Sequence, residues 1–105
     1  VNGYEYVDYT VINFSHVDKI IEKRIFLYEC TELIFYGATY GTWISQYRPD
    51  DFIVSRSHKD YEFYRIQRFY VTPEKLGLPH LTIRYKIGKD TIDRKTFRFQ
   101  FHVPY

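Results

Sequence analysis

The clearest pattern in the chain is a strict alternation near its C-terminal end. In Leu81-Thr82-Ile83-Arg84-Tyr85-Lys86-Ile87 the odd positions are apolar and the even ones polar. Thr96-Phe97-Arg98-Phe99-Gln100-Phe101-His102-Val103 repeats the alternation with Phe97, Phe99, Phe101 and Val103. A period of two marks a strand with one buried and one wet face. The stretch between them, Gly88 to Lys95, is polar and turn-rich, so the two runs are predicted to form an antiparallel hairpin. Both apolar sets carry odd numbers, so facing residues must sum to an even number. A two-residue loop breaks that rule, and the loop must be odd in length or contain a bulge. A loop at Lys89-Asp90-Thr91 satisfies it, pairing Ile83 with Phe97 and Thr82 with Arg98. Lys86 then lies opposite Arg94, and Arg84, Lys86, Arg94, Arg98 and His102 line the wet face with Thr82, Thr96 and Gln100.

The rest of the chain must cover the hairpin's apolar face. Tyr4 to Phe14 reads as a strand rich in aromatic and β-branched residues, ended by a turn at Asn13-Phe14-Ser15-His16. Asn13-Phe14-Ser15 also matches a glycosylation sequon, a pattern common by chance. Residues 17–36 admit two readings. Val17, Ile20, Ile21, Ile25 and Tyr28 fall at helical spacing behind a Ser15/Asp18 cap, which gives a helix over about 16–29. Ile20-Ile21, Arg24 to Tyr28 and Leu33 to Tyr36 read instead as strands. The segment has no alanine, and strands are the favoured reading.

Gly37-Ala38-Thr39-Tyr40-Gly41 reads as a loop, Thr42 to Tyr47 as a short strand anchored by Trp43, and Arg48-Pro49-Asp50-Asp51 as a turn. Phe52-Ile53-Val54 is extended and Ser55 to Asp60 is a polar loop. Tyr61 to Val71 is a long strand with polar residues on both faces, which places it near an edge or at a partly wet position. Thr72 to Pro79 connects back to the hairpin.

Composition supports sheet. The chain holds 12 Tyr, 9 Phe and 1 Trp against 5 Gly and 4 Pro, and aromatic side chains fit pleated half-buried surfaces. The expected fold is all-β: an antiparallel sandwich, loosely resembling immunoglobulin-like sandwiches in the order of its strands, or a small barrel. The resemblance stops at pattern, because a Cys…Trp…Cys signature is absent. The alternative is α+β, with a helix over 16–29 packed on an antiparallel sheet. A length of 105 residues suits one domain, and Val1 in place of methionine suggests a domain excised from or processed out of a longer chain. The apolar runs are too short to span a bilayer as a helix.

Formal net charge is +2, but residues 1–78 hold 9 basic and 11 acidic side chains while residues 79–105 hold 6 and 2. The basic surplus therefore belongs to the hairpin. Catalytic constellations are weak. Gly37 and Gly41 form a G-x-x-x-G spacing with no Lys-Ser/Thr after it, which argues against a phosphate cradle. The four histidines lack metal-ligand spacing, and Ser57-His58-Lys59-Asp60 crowds the letters of a triad onto one short stretch. Neither an enzyme nor a cofactor is expected. The favoured function is a protein-binding module that meets an acidic patch on its partner through its loops and the hairpin's basic face. The alternative is a nucleic-acid or anionic-surface binder, resting on Arg65 and Arg68 interleaved with aromatics in 61–70 and on the hairpin's wet face.

Cys30 has no partner for an intrachain disulfide, and the acids that flank it favour a protonated, unreactive thiol. It is expected to act as a small buried core residue. A thiol reagent should label the native protein slowly and the unfolded protein fast; rapid labelling of the native form would contradict this.

Overall fold

A computed structural model describes residues 20–87 and 95–104 in full and residues 6–12 as backbone. Eight strands follow one another: β1 (Tyr6–Ile12), β2 (Ile20–Arg24), β3 (Cys30–Gly37), β4 (Gly41–Tyr47), β5 (Phe52–Asp60), β6 (Arg65–Pro73), β7 (His80–Ile87) and β8 (Lys95–His102). They form two four-stranded sheets, one ordered β1-β3-β6-β5 and the other β2-β8-β7-β4. The fold is a β-sandwich. β1 lies parallel to β3 and β2 parallel to β8, and every other pairing is antiparallel.

The hairpin has the register its alternation requires. Ile83 faces Phe97, Thr82 faces Arg98, and Leu81 faces Phe99. Leu81, Ile83, Tyr85, Phe97, Phe99 and Phe101 are all buried, and Trp43 joins them from β4. The other sheet supplies Leu33, Phe35, Phe69, Val71 and Phe52. Phe35 is the ring on which the two layers meet. Its centroid lies 4.9 Å from Trp43, 5.2 Å from Phe97 and 6.4 Å from Phe99 across the sandwich, and 5.8 Å from Phe69 within its own sheet. Tilted and edge-on ring pairs at these separations add favourable quadrupole contacts to the area buried. Cys30 is fully buried. The expected core role of Val11 and the 88–94 loop, including Arg94 opposite Lys86, lie outside the described residues.

Several expectations are corrected. The helix over 16–29 does not form where it is described, because residues 20–24 pair with β8 as a strand. Residues 55–60 are not a loop: they continue β5, whose pairing with β6 runs from Phe52↔Pro73 to Asp60↔Arg65. Their polar composition reflects an edge strand, where charged side chains discourage pairing with other chains. The long strand begins at Arg65 rather than Tyr61, and it lies between β3 and β5 rather than near an edge; of the two positions expected it takes the partly wet one, with Ile66, Arg68 and Tyr70 half-buried. Its polar residues are accommodated individually. Gln67 is buried and its Nε2 donates to the Ser57 carbonyl at 2.9 Å, while Arg68 pairs with Glu32 at 3.0 Å.

Arg56 closes the open side of the sandwich. Its guanidinium lies 4.9 Å from the Phe69 ring centroid and donates to the Trp43 carbonyl at 2.8 Å, joining β5 of one sheet to β4 of the other. Desolvation, then repulsion from Arg65, lowers its pKa. Where the chain passes from β6 to β7, Gly77 adopts φ 115°, a conformation suited to glycine, and exchanges two backbone hydrogen bonds with Val103. Among the described residues no helix is long and apolar enough to cross a membrane.

Phe99 is 1% exposed and stacks against Phe101 as well as meeting Phe35. Phe99→Ala is expected to cost about 3–5 kcal/mol in denaturant unfolding, a large share of the ~5–15 kcal/mol typical of a domain. A variant as stable as the parent would contradict this packing.

Candidate functional site

Two surfaces carry residues that nothing in the core explains. The first is the end of the sandwich where β3 stops, β4 starts, and the chain turns from β5 into β6. Tyr61 to Tyr64 make that turn, closed by the Tyr61 N–H donating to the Tyr64 carbonyl at 2.8 Å. Asp60 and Arg65 brace its base through two hydrogen bonds, from Arg65 Nε at 2.6 Å and Nη2 at 3.0 Å. Chiefly because of those bonds, the Asp60 carboxyl is held below its ordinary value and the Arg65 guanidinium above its own.

The turn is aromatic. Tyr61 stacks on Tyr64 with centroids 4.7 Å apart and planes 11° from parallel. Tyr64 meets Tyr36 at 6.5 Å, and the Lys59 ammonium lies 5.4 Å from the Tyr61 ring centroid. Phe63 projects beyond them, 81% exposed, and Tyr40 stands on the neighbouring loop at 68%. Between the two loops lies an open, mainly apolar hollow of about 560 Å³, bordered by Tyr36, Ala38, Phe63, Tyr64, Ile87 and Lys95, with Tyr85 and Gly37 beneath.

Tyr85 supports this end from below. Its hydroxyl accepts the Ala38 N–H at 2.7 Å, and its ring lies 4.4 Å from Trp43. The Gly41 N–H donates back to the Ala38 carbonyl at 3.0 Å, tightening the 37–41 loop. A side chain at Gly41 would run into the Tyr85 ring, and one at Gly37 would meet both Tyr85 and Trp43. The G-x-x-x-G spacing thus serves a close approach of backbone to aromatic ring.

The second surface is the outer face of the β2-β8-β7-β4 sheet. Arg84, Lys86, Arg98 and His102 all lie on this face, as their register requires, and β2 adds Arg24 opposite His102. Arg65 and Arg68 do not join them. Both belong to the other sheet and are engaged by Asp60 and Glu32 respectively. Those pairs neutralise the charges on which a nucleic-acid reading of 61–70 rests. Ser57, His58, Lys59 and Asp60 are successive residues of one strand, so their side chains alternate between its two faces instead of converging. Among the described residues, no three His, Cys, Asp or Glu gather in a metal-binding group.

Sequence reasoning reached the basic face and the 37–41 loop but missed the aromatic turn, which it placed inside a strand. The signal that could have found it was the failed alternation of 61–71. Counting from Arg65, by contrast, Gln67, Phe69 and Val71 form one buried set.

No family model matches the sequence, and no curated protein matches it. Solved structures do resemble it. The cysteine protease inhibitor EhICP2 from Entamoeba histolytica superposes with a TM-score of 0.73 at 15% identity, covering 96% of this chain and 99% of that one. The solution structure of Amebosin gives 0.66 at 14% identity over 91% and 96%. At such identities the likeness establishes a common fold.

Tyr85→Phe removes the acceptor of the Ala38 N–H and keeps the ring. It is expected to cost about 1 kcal/mol and to speed amide exchange at Ala38 ahead of the core strands. Unchanged exchange there would show that the hydroxyl does not hold the loop.

Proposed function

We propose that this chain is a non-catalytic protein-binding domain, a sandwich of immunoglobulin-like type, that inhibits a cysteine protease by laying its aromatic loop end against the enzyme. The observation that carries the reading is the exposure of Phe63 and Tyr40 on two braced loops flanking an apolar hollow. Exposed large aromatics are costly to leave in water and dominate the energetics of protein interfaces. Here they are also preorganised. The Tyr61–Tyr64 stack, the Asp60–Arg65 brace and the Tyr85 hydroxyl fix the loops before a partner arrives, which lowers the ordering cost of association.

The likeness to EhICP2, described as a cysteine protease inhibitor, supports the choice of partner class. A hollow beside a protruding phenylalanine suits an enzyme surface with one cleft and one apolar prominence. Inhibition of this kind needs no chemistry from the protein itself, because occupying the enzyme surface is enough.

The reading is tested by titrating the purified chain against a panel of cysteine proteases and following hydrolysis of a fluorogenic peptide. Saturable inhibition of at least one enzyme is expected, with the inhibitor recovered uncleaved. Phe63→Ala is expected to weaken it by about 2 kcal/mol, roughly 30-fold, as befits a central interface aromatic. No inhibition across the panel would remove the protease, and inhibition indifferent to Phe63→Ala with Tyr40→Ala would remove the loop end.

A further inference from the structure

The outer face of the β2-β8-β7-β4 sheet starts at the row beside the loop end but shares no described residue with the hollow, and it is built differently from its counterpart across the sandwich. On the β1-β3-β6-β5 sheet the outward residues of the inner strands are apolar or paired: Ile34 and Ile66 lie near the Glu32–Arg68 ion pair, with Tyr36 and Tyr70 alongside. On the opposite face, rows across the strands read Thr42–Lys86, then Ile44–Arg84–Thr96, then Gln46–Thr82–Arg98–Ile20. The next rows are His80–Gln100–Glu22 and His102–Arg24.

Four permanent cations therefore share this face: Arg24, Arg84, Lys86 and Arg98. Among the described residues Glu22 is its sole carboxylate, and it lies toward the β2 corner, 3.5 Å from His102. Lys86 and Arg98 meet no carboxylate among the described residues, and Arg98 is exposed. Alternate residues along a strand are ~7 Å apart and neighbouring strands ~5 Å, so Lys86, Arg84 and Arg98 form one diagonal stripe. A face needing only solubility is served as well by mixed signs.

We infer that this face docks an acidic surface of another protein, through Lys86 and Arg98 at the two ends of the stripe. Charge complementarity identifies the partner's sign, and the remaining side chains identify its class. The outward positions of its strands carry Thr42, Thr82, Thr96, Gln46 and Gln100 and no aromatic ring among the described residues; Phe26, just past β2, meets the Arg24 guanidinium at 6.0 Å at the corner of the face, which leaves no ring between Lys86 and Arg98 for a base to stack on. A net charge of only +2 also makes a weak field for a phosphate backbone, whereas separate carboxylates on a folded surface can match Lys86 and Arg98, which stand four residues and one strand, ~14 Å, apart. The inference stands apart from the protease reading, because the two surfaces share none of these residues.

The test uses poly-L-glutamate as the acidic polypeptide and a twenty-nucleotide oligothymidylate as the competing polyanion, each followed by amide shifts of the labelled protein. Poly-L-glutamate is expected to move amides of β7, β8 and β2, with the effect lost as salt shortens the screening length below ~10 Å. Lys86→Glu with Arg98→Glu should abolish those shifts. Arg48→Glu with Lys75→Glu, both exposed and on neither surface, makes the same change in net charge elsewhere and should keep them. Equal loss in both double variants, shifts centred off this face, or tighter binding of the oligothymidylate would overturn the inference. If the Glu variant does not fold, Lys86→Gln with Arg98→Gln replaces it, with loss again expected and unchanged shifts again decisive against. Protease inhibition measured on the same variants is expected to stay intact, so the two readings fail separately.

Discussion

The contact of Phe35 with Trp43, Phe97 and Phe99 is the interaction on which the rest of the structure depends. Neither sheet can bury its aromatic face alone, and this cluster is where the layers interlock. The geometry follows from the connectivity. Successive strands change sheets at every step except β5 to β6 and β7 to β8, so residues remote in sequence must arrive at one point. Bulky rings suit such a junction, since each covers a large area and a few of them span the gap between sheets. Arg56 complements them at the side, where the sandwich opens and its guanidinium serves a β4 carbonyl and the Phe69 ring together.

Aromatic packing extends outward to the loop end. Tyr85 belongs to the core through Trp43 and to the surface through Ala38, so the 37–41 loop rests on the packed interior. Gly37 and Gly41 allow that approach because they place no side chain against the ring. The 61–64 turn is held differently, by tyrosine stacking and by the Asp60–Arg65 pair at its base. One loop is tied to the core and the other is braced within itself, and the hollow lies between them.

The two outer faces have separate electrostatic characters although the formal charge of the whole chain is small. Pairing decides the difference. Arg68 meets Glu32 across adjacent strands and Arg65 meets Asp60 across a turn, whereas Lys86 and Arg98 face outward without such carboxylates among the described residues. A count of basic residues is therefore a poor guide to a basic surface. What matters is which acids the fold brings within reach.

That distinction separates what the sequence determined alone from what the tertiary structure decided. Alternation at 81–87 and 96–103 is local, and it specified the hairpin, its register and its buried set, since slipping by one residue would turn every apolar side chain to water. The basic face followed from the same parity. Local pattern did not reveal that 55–60 is a strand, because a polar edge strand and a polar loop share one composition, and only the hydrogen bonds to β6 distinguish them. Nor did it locate the aromatic turn at 61–64, whose tyrosines suit a strand equally well until Asp60 and Arg65 close the turn's base. The parallel pairings of β1 with β3 and β2 with β8, and the neutralisation of Arg68 by Glu32, join segments far apart in the chain. Such pairings depend on which backbone edges and opposite charges meet once the sheets stack, and no short stretch of sequence contains both partners.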